Sequence, residues 1–313
     1  MIHPKPLKPE THAYDGDLFF WQKDNDAFLL HIQQDSNPYD PRRDCDNPNT
    51  MFCVHRRYDL GDRLPEQSIG GFWADLIKDN VPEAVIVQRL KDGIYPEYKY
   101  EEQYAWTHSD SPGDAEILED FWEEIREEEN MPLAVRIIQD YAIALPLWLY
   151  DHSGLTISCG GRSYPFNDPW DSSAIGWIIT TKKQALENLT EQETNPDGTP
   201  GEYKPCTEAN WAAAAVKAMQ TDVELYDQYL TGDTYRYTLY HRVLKPEDDP
   251  EAETTEEDWG IREDCGCFFG SEIFKSGLAE NVGSGFLDAL KSGDYQTGKA
   301  EPFVIHHVRF RKR

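Results

Sequence analysis

The sequence predicts an α+β protein: a mostly antiparallel sheet flanked by several helices, with acidic helix and loop insertions. Three observations predict it. Short β-branched and aromatic runs recur between polar turns, as in hairpins. Other segments carry apolar residues at spacings of three and four, the helical period. Hydrophobic residues at 39% and aromatics at 12% give the 313-residue chain enough apolar mass for a core, despite a formal net charge of −28. A single domain over residues 14–313 is expected, after a flexible arm at 1–13. The places to divide or move are a sub-boundary near 130–145 and a mobile insert at 190–207.

Leu18 to Gln33 holds two apolar runs around Lys23-Asp24-Asn25-Asp26, a hairpin signal. A polar loop, 35–50, precedes MFCVHRRY (51–58), read as a strand. Gln67 to Asp79 reads as a helix through Phe72, Trp73, Leu76 and Ile77, although Gly70-Gly71 weakens the pattern. The β-branched run AVIVQRL (84–90) predicts a strand. Ser111-Pro112-Gly113-Asp114 opens a helix whose stripe is Ile117, Leu118, Phe121, Trp122 and Ile125. Leu133 to Leu149 is apolar, a helix or strand up to Ala144 and then a strand ending at Tyr150.

Asp151-His152-Ser153-Gly154 is a polar turn between strands, and GLTIS leaves it. AIGWIIT (174–180) is a strand and Lys182 to Leu189 a helix, followed by a disordered-looking insert at 195–205. Ala209 to Leu230 is the clearest helix, with Trp211, Ala215, Met219, Val223 and Tyr226 on one face and Gly232 as its stop. Tyr235 to Leu244 alternates as a strand, and 247–264 reads as a solvated acidic loop. A short helix near Phe274 to Ala279 and a basic terminal strand, FVIHHVRFRKR, close the chain.

The first residues are Pro-rich and lack an apolar h-region, so no export signal is expected and the six cysteines should be reduced in a cytoplasmic setting. No apolar run reaches about eighteen residues, so no membrane-spanning helix is expected. Direct duplex binding is disfavoured, because phosphate would repel so anionic a chain.

Several segments together resemble a widespread group of phage, prophage and plasmid proteins of uncharacterised function. One is Asp46-Asn47 through Thr50-Met51 into Cys53-Val54-His55-Arg56-Arg57-Tyr58-Asp59-Leu60-Gly61-Asp62. The next is Tyr150 to Ser158. The third is Asp168-Pro169-Trp170-Asp171-Ser172 with Ile175-Gly176-Trp177-Ile178. The last is Tyr226 to Asp233 with Asp264-Cys265 and Phe268-Phe269-Gly270. The chain departs from the group at Ser173-Ala174-Ile175-Gly176, where Gly-Gln-Val-Gly is usual. It departs again at Cys265-Gly266-Cys267, where Cys-Trp-Gly is usual. The resemblance implies a mobile-element accessory protein acting inside a bacterial or archaeal host, and no known reaction.

Two kinds of site follow from the residues. If the protein is an enzyme, a small hydrolase or nucleotide-acting one, its groups are His55, Arg57, Asp62, Asp151, His152 and Asp171. Arg57 and His55 would hold an anion, and Asp171 or Asp151 would act as base or metal ligand. The plainer reading is that Asp151 and Ser153 satisfy turn amides while His152 bonds a backbone group. Cys45, Cys53 and His55 could ligate a metal, as could Asp40, Asp44, Asp46, Asn167, Asp168 and Asp171, but core thiols and Asx turns explain them more simply. No cofactor or metal is expected.

The charge makes the other site. Residues 97–130 hold thirteen acids and two bases, and 247–264 hold ten and one. Such concentration exceeds what solubility requires. The expected binding surface is Glu116, Glu119, Asp120, Glu123, Glu124, Glu127 and Glu128 with Asp248, Asp249, Glu256 and Glu257. A carboxylate array can imitate nucleic-acid phosphates and occupy the basic channel of a host nuclease or other defence protein. Inhibition of this kind is the leading expectation. A salt-adapted host would explain the acidity without a partner. An oligomeric sequestering protein, paired through the basic terminal strand, is a further alternative.

Overall fold

The computed structural model describes residues 11–62, 68–92, 113–127, 129–160, 170–194, 200–245 and 258–299. They form an α+β fold in which every strand pairing is antiparallel. The strands fall into three sheets, and the chain divides into two compact units, 1–41 with 225–313 and 42–224. The sub-boundary expected near 130–145 lies inside the second unit.

In the first unit the sheet order is β10-β9-β2-β1-β11: β10 (Gly260–Phe269), β9 (Thr234–Val243), β2 (Asp26–Gln34), β1 (Asp17–Lys23) and β11 (Gln296–Lys299). The β1–β2 hairpin turns at the expected residues, with Lys23 opposite Asp26. Leu18, Phe19, Phe20 and Trp21 are all buried because both sheet faces are covered. Phe19 and Trp21 join Leu30, Ile32, Tyr237 and Phe286 on one face, whereas Leu18 and Phe20 join Leu29, Tyr240 and Trp259 on the other. The short helices α7 (Leu278–Val282) and α8 (Ser284–Ser292) supply the first face with Leu278, Ala279, Phe286 and Leu290.

The second unit has a four-stranded sheet ordered β3-β6-β4-β5: β3 (Thr50–Cys53), β6 (Ser172–Thr181), β4 (Ala142–Asp151) and β5 (Leu155–Cys159). Helices α1 (Ile69–Asn80), α2 (Glu83–Lys91), α3 (Asp114–Arg126) and α4 (Met131–Ile138) share one core with it, through Trp73, Ile77, Ile86, Phe121, Ile125, Ile137 and Ile179. The expected Gly70 weakness has a packing cause. A Cβ there would sit 2.5 Å from the carbonyl oxygens of Ile125 and Arg126, so α1 can meet α3 only without one. Helix α5 (Lys182–Asn188) and a separate hairpin of β7 (Thr190–Thr194) and β8 (Pro200–Pro205) complete this unit up to α6 (Trp211–Thr231). Trp211, Ala215, Met219, Val223 and Tyr226 are buried along α6, as their spacing predicts.

Several expectations are corrected. AVIVQRL is helix α2, not a strand: Glu83 and the Arg89/Lys91 pair suit its two ends, and burial of Ile86 and Val87 outweighs β-branched propensity. The strand read over 51–58 stops at Cys53, where pairing with β6 runs out at Gly176. Residues 260–264 are strand rather than loop, since edge position leaves their acids in solvent while their backbone pairs with β9. Thr190–Thr194 and Pro200–Pro205 are paired strands. The helix expected near 274–279 starts at Leu278. Residues 11–13 belong to the fold rather than to an arm: Ala13 is buried and its amide donates to the Ser271 carbonyl at 2.8 Å. The terminal strand 303–313 lies outside the described residues. No described helix is long and apolar enough to cross a membrane.

Candidate functional site

Two loops flank β3, and one buried guanidinium ties them together. Arg42 donates from Nε to Asp62 Oδ1 at 2.8 Å and from Nη2 to Asp62 Oδ2 at 3.1 Å. Its Nη1 donates to Asp222 Oδ2 at 2.9 Å, and Nη2 also reaches the Asn49 carbonyl at 2.7 Å. Asn49, itself buried, donates to Asp222 at 2.9 Å and accepts from the Thr180 hydroxyl. Asp62 also takes the Met51 amide at 2.8 Å. Beside it Arg43 donates to the Gly61 and Asp59 carbonyls. Gly61, at φ +71°, brings its α-carbon against the Met51 carbonyl, where a Cβ would lie 2.6 Å away. Asp62 is thus the counter-ion of Arg42. Its carboxylate bonds Arg42 and the Met51 amide, not any of the other five groups of the expected enzyme set.

Those five do converge. The β4–β5 turn carries Asp151 and His152, the segment after β3 carries His55 and Arg57, and Asp171 precedes β6. Arg57 ion-pairs with Asp151, whose Oδ1 accepts from the Tyr58 hydroxyl at 3.2 Å. The Asp151 amide donates to the Asp171 carbonyl at 2.8 Å, which places Asp171 beside the turn. His152 Nδ1 lies 2.7 Å from Asp171 Oδ2. His152 therefore bonds a carboxylate, not the backbone group expected for its ring, and Asp151 holds side chains rather than turn amides. The His152 side chain is 62% exposed and that of Asp171 35%.

His55 stacks on Tyr58, with centroids 5.0 Å apart and planes at 11°. Its Nδ1 accepts the amides of Arg57 at 3.3 Å and Tyr58 at 3.2 Å, so that nitrogen carries no proton. Burial, and next the Arg57 cation, hold its pKa below the ordinary value against the pull of Asp151. This geometry also removes His55 from the metal set proposed with Cys45 and Cys53. Burial and the Asp62 carboxylate push the Cys53 thiol up to about 12. Among the described residues no group of three or more His, Cys, Asp or Glu is placed to hold a metal ion, and Asn167 and Asp168 lie outside them.

The acidic helix is the second candidate. On α3, Ile117, Phe121 and Ile125 are buried in the core. Glu116, Glu119, Glu123 and, at the C-cap, Glu127 are exposed at spacings of three and four, so they form one row along the opposite side. None of the four ion-pairs with another described residue. The helix's lone cation, Arg126, lies over the Trp122 ring at 5.8 Å instead. Asp120 and Glu124 are half-buried on the flank, and Glu124 accepts from Asn130 at 3.0 Å. Glu128, Asp248, Asp249, Glu256 and Glu257 lie outside the described residues. The second anionic block belongs to the other unit, and its described acids are engaged: Asp264 with Arg236 and Glu263 with the Tyr237 hydroxyl.

No family model, curated protein or solved structure matches the chain.

The sequence reading missed Arg42, Asn49, Tyr58 and Asp222. The chain shows adjacent arginines at Arg42-Arg43 and at Arg56-Arg57, and adjacency alone does not name a buried partner.

Proposed function

We propose that the protein is a non-enzymatic, phage-type accessory protein of the host cytoplasm. It docks its anionic surface on a basic face of a host nucleic-acid-handling defence complex and so inhibits it. The observation that carries this reading is the row Glu116, Glu119, Glu123 and Glu127, solvent-facing and not ion-paired with any other described residue, on a helix whose other side is fixed in the core. Successive members stand about one turn apart, roughly 5.4 Å. A rigid carboxylate row is complementary to a basic channel and accelerates encounter at low salt. By contrast, the carboxylates of the enzyme set are occupied: Asp62 by Arg42, Asp151 by Arg57 and Asp171 by His152. The resemblance to mobile-element proteins adds the host setting.

The test reverses the row (Glu116→Lys, Glu119→Lys, Glu123→Lys, Glu127→Lys) and compares capture of host proteins with the wild type at low and high salt. Expected is salt-sensitive recovery of a basic nucleic-acid-binding protein by the wild type alone, together with loss of its nuclease activity when the two are mixed. Equal recovery by the reversed protein, or no recovery at low salt, overturns the reading.

One observation favours a second reading. Asp171 orients His152 through Nδ1 and leaves Nε2 toward solvent, the arrangement of a general base in a small hydrolase. Turnover of a phosphate- or carboxyl-ester panel that is lost in His152→Ala would support it. Turnover unchanged in that variant, or none at all, would remove it.

A further inference from the structure

The second unit holds a half-open cavity of about 330 Å³ at the C-terminal end of β6, the opposite end from Asp171. It lies between α1, β3, β6 and α5, all within the same unit. Its apolar wall is Phe72, Leu76 and Ile179, with the Phe72 ring fixed by stacking on Phe52 at 4.1 Å and 3°. Much of the polar lining already has work. Thr181 and Gln184 close the capping box of α5, and Asn80 Nδ2 donates to the Leu76 carbonyl at 2.9 Å near the end of α1. The two charged groups are different. Lys183 and Glu187 stand one helical turn apart on α5, both line the cavity, and neither pairs with another described residue. The neighbouring Lys182, which does not line it, is paired with Glu208.

We infer that this cavity binds a small zwitterion with an apolar body, of the α-amino acid class with an aromatic or branched side chain. The volume falls at the lower end of small-ligand sites, which combine apolar walls with a few fixed polar groups. Lys183 meets the ligand carboxylate and Glu187 its ammonium, while the side chain lies against Phe72, Leu76 and Ile179. A purely apolar ligand would leave both charges idle, and a singly charged one would leave like charge beside Lys183 or Glu187. The site is independent of the α3 row.

The experiment titrates the full chain with L-phenylalanine by calorimetry and follows Phe72 and Ile179 by NMR. It then repeats the titration with 3-phenylpropionate and phenethylamine, each lacking one ionic group. Expected is saturable binding of one L-phenylalanine per chain, with each analogue weaker by about tenfold or more, the loss of one charge-assisted contact. Lys183→Met, on the exposed side of α5, should weaken L-phenylalanine by a similar factor and should not weaken phenethylamine, which loses only a like charge. Leu76→Trp should fill the cavity and abolish binding. If Leu76→Trp does not fold, the Lys183→Met comparison decides alone. No saturable binding of L-phenylalanine, or equal binding of all three ligands, overturns the inference.

Discussion

Arg42 and Asp62 meet through two parallel hydrogen bonds, 2.8 and 3.1 Å long, around a guanidinium whose side chain is 1% exposed. A bidentate pair in this setting fixes geometry as well as charge. Arg42→Met should strand Asp62 and Asp222 together and destabilise the fold by about 3–5 kcal/mol, the usual result of removing one partner from a buried pair. Arg42→Met with Asp62→Asn should cost less than Arg42→Met alone. Urea unfolding of the wild type, Arg42→Met, Asp62→Asn and the double variant measures both effects, and an additive pair of losses would contradict the pairing.

Gly70 is required by a close approach of backbone to backbone. Gly70→Ala should cost about 1–3 kcal/mol, as overpacking does, because neither the Ile125 nor the Arg126 carbonyl can swing aside. Gly154→Ala, in a turn with nothing within 4 Å of the new methyl, should leave the unfolding midpoint nearly unchanged. Denaturation curves of both variants side by side give the answer.

The lowered pKa of His55 predicts a direction with pH. The folded protein resists protonating this ring more than the unfolded chain does. The ring therefore sets no penalty above the unfolded value of about 6.5, and stability falls as pH drops through the folded value. His55→Asn keeps an acceptor for the Arg57 and Tyr58 amides but cannot take up the proton. The loss of stability between pH 7 and pH 5 should be smaller in His55→Asn than in the wild type. Parallel urea titrations at the two pH values report it.

No disulfide joins the six cysteines, which lie in different surroundings. Cys45 is exposed. Burial pushes the Cys53 thiol up to about 12 and the Cys159 thiol up to about 11, and Cys206 is buried. Since the thiolate is the reactive form, labelling of the native protein near pH 8 should modify Cys45 first and Cys53 among the last. Mass spectrometry of timed digests gives the order.

Much of the fold was legible where pattern and burial coincide. The β1–β2 turn, the face of α6 and the stripe of α3 follow from spacing alone, because each helix buries the side that its apolar spacing marks and the hairpin turns at its polar residues. AVIVQRL misled because β-branched residues serve a buried helix as well when packing decides. That His55, Arg57, Asp151, His152 and Asp171 lie at or beside strand ends was legible from the alternation of apolar runs and polar turns. Their pairings were not, because which carboxylate meets Arg57 depends on the register of β4 against β6. Asp62 shows the limit most clearly. It lies only a few residues from Arg57, yet a turn at Gly61 sends it inward to Arg42.

The strand β10 closes one side of the five-stranded sheet and slips register against β9 twice, between Ile261 and Glu263 and again between Cys265 and Phe268. Among the described residues no strand pairs with its outer flank, and a strand from another molecule laid there would lose alignment after each kink. The two breaks in register make β10 a poor template for any added strand.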